Sequence, residues 1–257
     1  MIIQQIGLGR PGEKVEITMK AAVRQVEIVR ACADGSFEQR QDEVLEERTL
    51  VLELAGREEA TAILTPGREK EWALGHLACR RMILCMEDIA AVSVDPGRVR
   101  VNRKGDPVTG MRPDPLPVAW SIPFGTLQQA IHDLAEAPLF RRTGSTHVAV
   151  LGSVSGQARF RVEDVGRHNA VDKAVGWAIL EGIDLSGCFL AVSGRLPADM
   201  VYKAIGAGIP LLASVSAVTA GAVDAALTGG ITLIGFAREG RMNIYSVPER
   251  VRGCPKG

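Results

Sequence analysis

The sequence predicts a three-layer α/β/α sandwich built on a mixed sheet, preceded by a smaller, mostly antiparallel α+β domain. Three observations predict it. In the second half of the chain, apolar strand-like runs alternate with helix-period segments, giving two strand–helix–strand crossovers between hairpins. In the first hundred residues, short alternating runs pair around glycine-containing turns, with one helix among them. Between Lys104 and Pro123 the chain carries five prolines and two glycines and has little periodicity. That composition marks a boundary, so the expected divisions are 1–110, a linker at 111–126, and 127–257.

Taken in order, residues 1 to about 20 read as a weakly ordered lead-in. Val23 to Cys32 reads as a strand closed by a turn at Asp34-Gly35. Gln39 to Glu47 is charge-dense and reads as a surface loop. Arg48–Leu54 and Glu59–Leu64 alternate around Gly56 as a hairpin, and Pro66-Gly67 breaks the chain before a helix from Glu69 to Met82. A second hairpin, 91–95 and 98–101, turns at Pro96-Gly97. Beyond the linker come a short helix from Leu127 to Glu136 and a hairpin over 146–162 broken at Ser155-Gly156. The predicted helix 169–182 and strand 188–192 follow. A helix begins at Pro197, a favoured first-turn residue, and stops at Gly208. Strand 211–215 leads to a helix over 217–227, ended by Gly229-Gly230. Strands 231–236 and 242–247 close the chain around Glu239-Gly240.

Bulk properties exclude several classes. Thirty basic and thirty acidic residues cancel, so no overall positive field favours nucleic acid. The opening residues lack a basic-then-apolar signal pattern, and no apolar run is long enough to span a bilayer, so a cytoplasmic protein without membrane partners is expected. The cysteines (Cys32, Cys79, Cys85, Cys188 and Cys254) are odd in number, and none has C-x-x-C spacing. No second His stands at ligand spacing from His147, and a P-loop is absent, so neither a metal nor a P-loop NTPase is expected.

The chemistry collects in Glu163-Asp164-Val165-Gly166-Arg167-His168-Asn169-Ala170-Val171-Asp172-Lys173, where a strand hands over to a helix. The first N–H groups of such a helix lack internal partners and its dipole favours negative charge, so a junction carrying Gly and Arg suits a phosphate. Ligands of open α/β sheets gather beyond the carboxyl ends of the strands. Three further loops belong there: Ser193-Gly194-Arg195, Ser214-Val215-Ser216, and Gly235-Phe236-Ala237-Arg238-Glu239-Gly240-Arg241. Four guanidiniums on one edge (Arg167, Arg195, Arg238 and Arg241) point to an anionic ligand. The candidate binding residues are therefore Asp164, Arg167, His168, Asn169, Asp172, Lys173, Ser193, Gly194, Arg195, Ser214, Ser216, Phe236, Ala237, Arg238, Glu239, Gly240 and Arg241. Lys173 is expected to pair with Asp172.

The runs EDVGRHNAVDK (163–173), SGR (193–195), MVYKAIGAGIPLLASVSA (200–217) and LTGGITLIGFAREGRMNIYS (227–246) closely resemble the FdhD family of formate dehydrogenase accessory proteins. TGSTH (143–147) and EWALGHLACRRMILCMEDI (71–89) look like altered versions of further family patterns. The resemblance implies a cytidine-deaminase-like sandwich without zinc, and a homodimer. It implies sulfur transfer from a cysteine desulfurase to the Mo-bis(molybdopterin guanine dinucleotide) cofactor needed by formate dehydrogenase. It also implies cofactor contact by Phe236 to Arg241. Asp164 or Asp172 would accept the guanine N1–H and N2–H₂ pair.

One departure bears on that activity. The family's Cys-x-x-Cys loop corresponds here to 115–125, which holds no cysteine, and a persulfide carrier needs an accessible thiolate. Cys85, after a helix end, and Cys254, on what reads as a flexible tail, are the candidate carriers. Two other functions stay open: a paralogue that binds the cofactor or a GDP-like nucleotide without sulfurtransferase activity, and a small-molecule enzyme using His147 or His168 as a base.

Overall fold

In a computed structural model, residues 22–105, 119–156, 159–238 and 240–255 are described. The expectations for residues 1–21, for 106–118 and for Glu239 fall outside them.

The chain opens with a two-stranded antiparallel ribbon, β1 (Val23–Ala31) and β2 (Phe37–Leu45), in register over all nine residues. The ribbon corrects the surface loop expected over Gln39–Glu47. Those residues are polar on both faces because both faces are largely solvated, so no alternation signals the strand. Next comes a four-stranded sheet of β3 (Arg48–Leu54), β4 (Arg57–Leu64), β5 (Ile89–Asp95) and β6 (Arg98–Arg103), ordered β4-β3-β6-β5. Its two hairpins are antiparallel as expected, and β3 and β6 join them in parallel. Leu50, Leu52, Val99 and Val101 turn inward onto helix α1 (Glu69–Cys79), which ends three residues earlier than predicted.

The second half is mixed α/β as expected. Its six strands are β7 (His147–Ser153), β8 (Arg159–Asp164), β9 (Cys188–Val192), β10 (Leu211–Ser214), β11 (Thr232–Arg238) and β12 (Arg241–Ser246), in the order β12-β11-β10-β9-β7-β8. Strands β9, β10 and β11 run parallel, and the hairpins at either end are antiparallel. Helix α2 (Phe124–Ala135) covers one face through Leu127, Ala130 and Leu134. On the other face lie α4 (Arg167–Leu180), α5 (Ala198–Ala207) and α6 (Ala220–Gly229). The short α3 (Pro138–Thr143) is too brief for periodicity to reveal, and the sequence reading missed it.

One apolar core runs from β3 and β6 through α1 to α4, α5 and the large sheet. Glycines permit that continuity. A Cβ on Gly75 would stand 1.7 Å from the Asp172 carbonyl oxygen, one on Gly176 1.7 Å from that of Glu71, and one on Gly206 1.9 Å from that of Cys79. Helix α1 therefore lies with its backbone directly on α4 and α5.

Candidate functional site

Strand direction places the predicted residues. The carboxyl ends of β8, β9, β10 and β11 and the start of β7 share one edge of the large sheet. His147, Arg167, His168, the 193–195 loop, the 214–216 loop and Phe236–Arg238 all lie along it. Adjacent strands stand about 4.8 Å apart, so the span from β9 to β11 is about 10 Å, the scale of a diphosphate with its sugar.

The first turn of α4 is the centre of this edge. Its cap, Gly166, supplies no side chain, and the turn carries no acidic residue. A Cβ on Gly166 would come within 2.8 Å of Asn169 Nδ2, so the tight turn excludes larger residues. Arg167 is half-buried, and its Nε is shielded from solvent without a hydrogen-bond partner. The Arg167 stem packs on Gly194, where a Cβ would meet its Cβ and Cδ at 3.1 Å. His147 Nδ1 stands 3.5 Å from Ser193 Oγ, which accepts the Val148 N–H at 2.9 Å. Burial holds His147 below the usual histidine range, and the Arg167 charge adds to that. His168 Nε2 meets Asp199 Oδ2 at 2.9 Å. Burial lowers this histidine too, with Arg167 reinforcing the shift and Asp199 opposing it. Both imidazoles are therefore neutral near pH 7.

The remaining predicted residues divide by role. Arg195, Arg238, Gly240 and Arg241 are exposed, while Ala237 is buried beneath them. Ser214 is fully buried; its hydroxyl donates to the Gly194 carbonyl at 2.7 Å and accepts from Ser216 N–H, tying two loops together. Phe236 takes a left-handed conformation, φ 48°, where the β11–β12 ladder is irregular. Its neighbour Gly235 has room for no Cβ, with Val218 Cγ2 at 2.6 Å. Strained backbone of this kind persists where surrounding contacts impose it, often at ligand sites.

Asp164, Asn169, Asp172 and Lys173 face inward instead. Lys173 pairs with Asp164 at 2.7 Å rather than with Asp172, and both are fully buried. Asp172 receives Lys203 of α5 and approaches His76 of α1 at 3.6 Å. Burial opposes its charge, but the Lys203 ammonium and His76 outweigh it and hold the carboxyl below its usual range. Asn169 donates to the Ile63 carbonyl at 2.8 Å and accepts from Trp72 Nε1 at 3.2 Å. Asp164 and Asp172 thus have internal partners in place of a guanine edge. Sequence reasoning missed Thr65, Trp72, His76 and Lys203, the partners of these four. The one visible signal was the recurrence of glycine in helical segments, at Gly75, Gly176 and Gly206.

None of the cysteines among the described residues lies on the carboxyl edge. Cys79 is buried with its thiol pushed far up by burial and by Asp172, and burial raises Cys188 to about 11. Cys85 is exposed in a cavity of about 730 Å³ between the far ends of α4 and α5, and the Glu87 side chain holds it as a thiol. Cys254 is half-buried against the core on the α2 side, with its N–H on the Val251 carbonyl, which corrects the expected flexible tail. Among the described residues no group of His, Cys, Asp and Glu is arranged to hold a metal ion, and no helix is long and apolar enough to cross a membrane.

Comparison with known proteins agrees with this architecture. A formate dehydrogenase accessory protein assigned in Desulfotalea psychrophila has a crystal structure that superposes with a TM-score of 0.78, at 28% identity, over 90% of this chain and 99% of that one. The sulfur carrier protein FdhD of Anaeromyxobacter dehalogenans is 35% identical over 255 residues, covering 82% of this chain and 88% of that protein. That of Methanothermobacter thermautotrophicus is 49% identical over 116 residues, 45% of this chain and 46% of its own. The sequence model of the FdhD/NarQ family matches residues 105–252. With the fold and the sequence in agreement along most of its length, the chain belongs to the FdhD/NarQ family.

Proposed function

We propose that this protein is a formate dehydrogenase accessory protein whose carboxyl-edge site holds the guanine dinucleotide end of a molybdopterin cofactor, or a GDP-like nucleotide. The observation that carries the proposal is Arg167. Its stem lies on Gly194 at the carboxyl edge with Nε unpartnered inside the protein, and the uncapped first turn of α4 beside it offers backbone donors to an anion. Arg195, Arg238 and Arg241 add positive charge along the edge. These donors fit a diphosphate. The bound cofactor would supply the metal centre that receives sulfur; the residues here bind and orient its phosphates. A cysteine desulfurase as sulfur source, formate dehydrogenase as recipient and a homodimer are proposed from the family likeness.

A second reading is a cofactor-binding relative that does not itself carry the persulfide. The cysteine placement favours it, since no thiol among the described residues lies in the loops of the carboxyl edge. Isothermal titration with GDP tests the site: Arg167→Ala and Arg238→Ala should each weaken binding about tenfold or more, as loss of a charged hydrogen bond does. Unchanged affinity in both would sink the assignment. Mass spectrometry after incubation with a cysteine desulfurase and cysteine separates the two readings. A persulfide on Cys85 or Cys254 supports the carrier, and GDP binding without persulfide supports the relative.

A further inference from the structure

We infer that Thr65, one hundred residues before Val165 and outside the segment matched by the family model, is a positioning residue for the anion site. It lies in the turn between β4 and α1, is almost wholly buried, and spends all of its backbone and side-chain hydrogen bonds that face α4 on the central motif. Its N–H donates to Asp164 Oδ2 at 3.1 Å. Its Oγ1 accepts the Val165 N–H at 3.0 Å. Its carbonyl accepts from Lys173 Nζ at 2.7 Å, and that ammonium returns to the same Asp164 oxygen at 2.7 Å. Thr65, Asp164 and Lys173 therefore close a ring.

The ring reaches the ligand-facing turn through the other Asp164 oxygen. Oδ1 accepts from Gly166 N–H at 2.9 Å and from Asn169 Nδ2 at 3.0 Å. Asp164, Val165 and Gly166, the three residues that aim the first turn of α4, are thus held by bonds that lead back to Thr65. Pro66 restricts Thr65 to extended backbone, which fixes the direction of its carbonyl. Valine has nearly the same shape but no acceptor, so it would leave the Val165 N–H buried without a partner. Serine keeps the acceptor. The inference rests on the proposed reading of this turn as an anion site.

The experiment is isothermal titration of the full chain with GDP, at one pH and ionic strength, for wild type, Thr65→Val, Thr65→Ser, Arg167→Ala and Leu50→Ala. Leu50 belongs to the four-stranded sheet and serves as a control for lost stability alone. Thr65→Val should weaken binding about tenfold, the effect of one orphaned buried donor, with Thr65→Ser within about twofold of wild type. Leu50→Ala should lower Tm without changing affinity. Hydrogen exchange gives a second readout: the Val165 amide should lose protection in Thr65→Val and keep it in Thr65→Ser. Weakening by Arg167→Ala with none by Thr65→Val, or equal weakening by Thr65→Val and Leu50→Ala, would overturn the inference. Unchanged affinity in Arg167→Ala would remove the first turn of α4 from the anion site, and the positioning role with it.

Discussion

Gly75 and Gly176 face each other across the crossing of α1 and α4, close enough that a Cβ on Gly176 would lie 2.8 Å from the Gly75 nitrogen. The obstacle on each side is backbone, which does not yield as a flexible side chain does. Gly176→Ala should therefore force the helices apart and cost about 3 kcal/mol, lowering Tm by roughly 6–12 °C in a chain of this size. Calorimetry reads the shift, and a change under 2 °C would show that the seam tolerates a methyl group.

The Lys203–Asp172 pair beneath this crossing should be worth more broken than present. Asp172→Asn leaves a buried ammonium unpaired and should cost about 3–5 kcal/mol in urea unfolding, whereas Asp172→Leu combined with Lys203→Met should recover most of it. The Asp172 carboxyl is held below its ordinary value, so its contribution is complete above the unfolded carboxylate range near pH 3.9 and disappears as pH falls through the folded value. Wild type should lose stability more steeply than Asp172→Asn on acidification below pH 4. Parallel curves would assign the acid sensitivity elsewhere.

His147 and His168 titrate below the ordinary histidine value near 6.5. Protonation favours the unfolded chain for such groups, so they should lower stability as pH drops through 6.5. A bound anion acts in the opposite direction, because each added proton brings positive charge to the edge. The ratio of wild-type GDP affinity to that of the His147→Gln/His168→Gln variant cancels the nucleotide's own titration. That ratio should rise from pH 7.5 to 5.5, and a flat ratio would place both imidazoles away from the ligand.

Thiol reactivity should follow the environment of each cysteine. Cys85 is exposed yet raised by its Glu87 hydrogen bond, with partial burial and Asp88 adding to the shift. Iodoacetamide should modify it slowly at pH 7.5, and Glu87→Gln should accelerate the reaction a few-fold. Cys79 and Cys188 should react only on unfolding. Rapid labelling of Cys85 in wild type would make it a stronger carrier than its surroundings imply.

The parallel strands β9, β10 and β11 were legible because apolar runs bounded by glycine and proline leave few alternatives. The loops bearing Arg167, Arg195 and Arg238 followed from strand direction. What stayed hidden depends on contacts distant in sequence. Asp172 and Lys173 are adjacent, so pairing them was the local choice, yet the helix turns them toward Lys203 and Asp164. Strand β2 stayed hidden for another reason: its partner is β1 and its faces meet water, so polarity outweighed alternation.

The bonds from Thr65 to Asp164, Val165 and Lys173 bridge 99, 100 and 108 residues. Contacts of such long range form late, because closing the intervening loop costs entropy before the contacts reward it. On the ribosome the first turn of α4 stays unaimed until most of the chain has emerged and the early sheet has docked. Aiming of that turn is thereby coupled to the docking of the early strands and α1 on the later half of the chain.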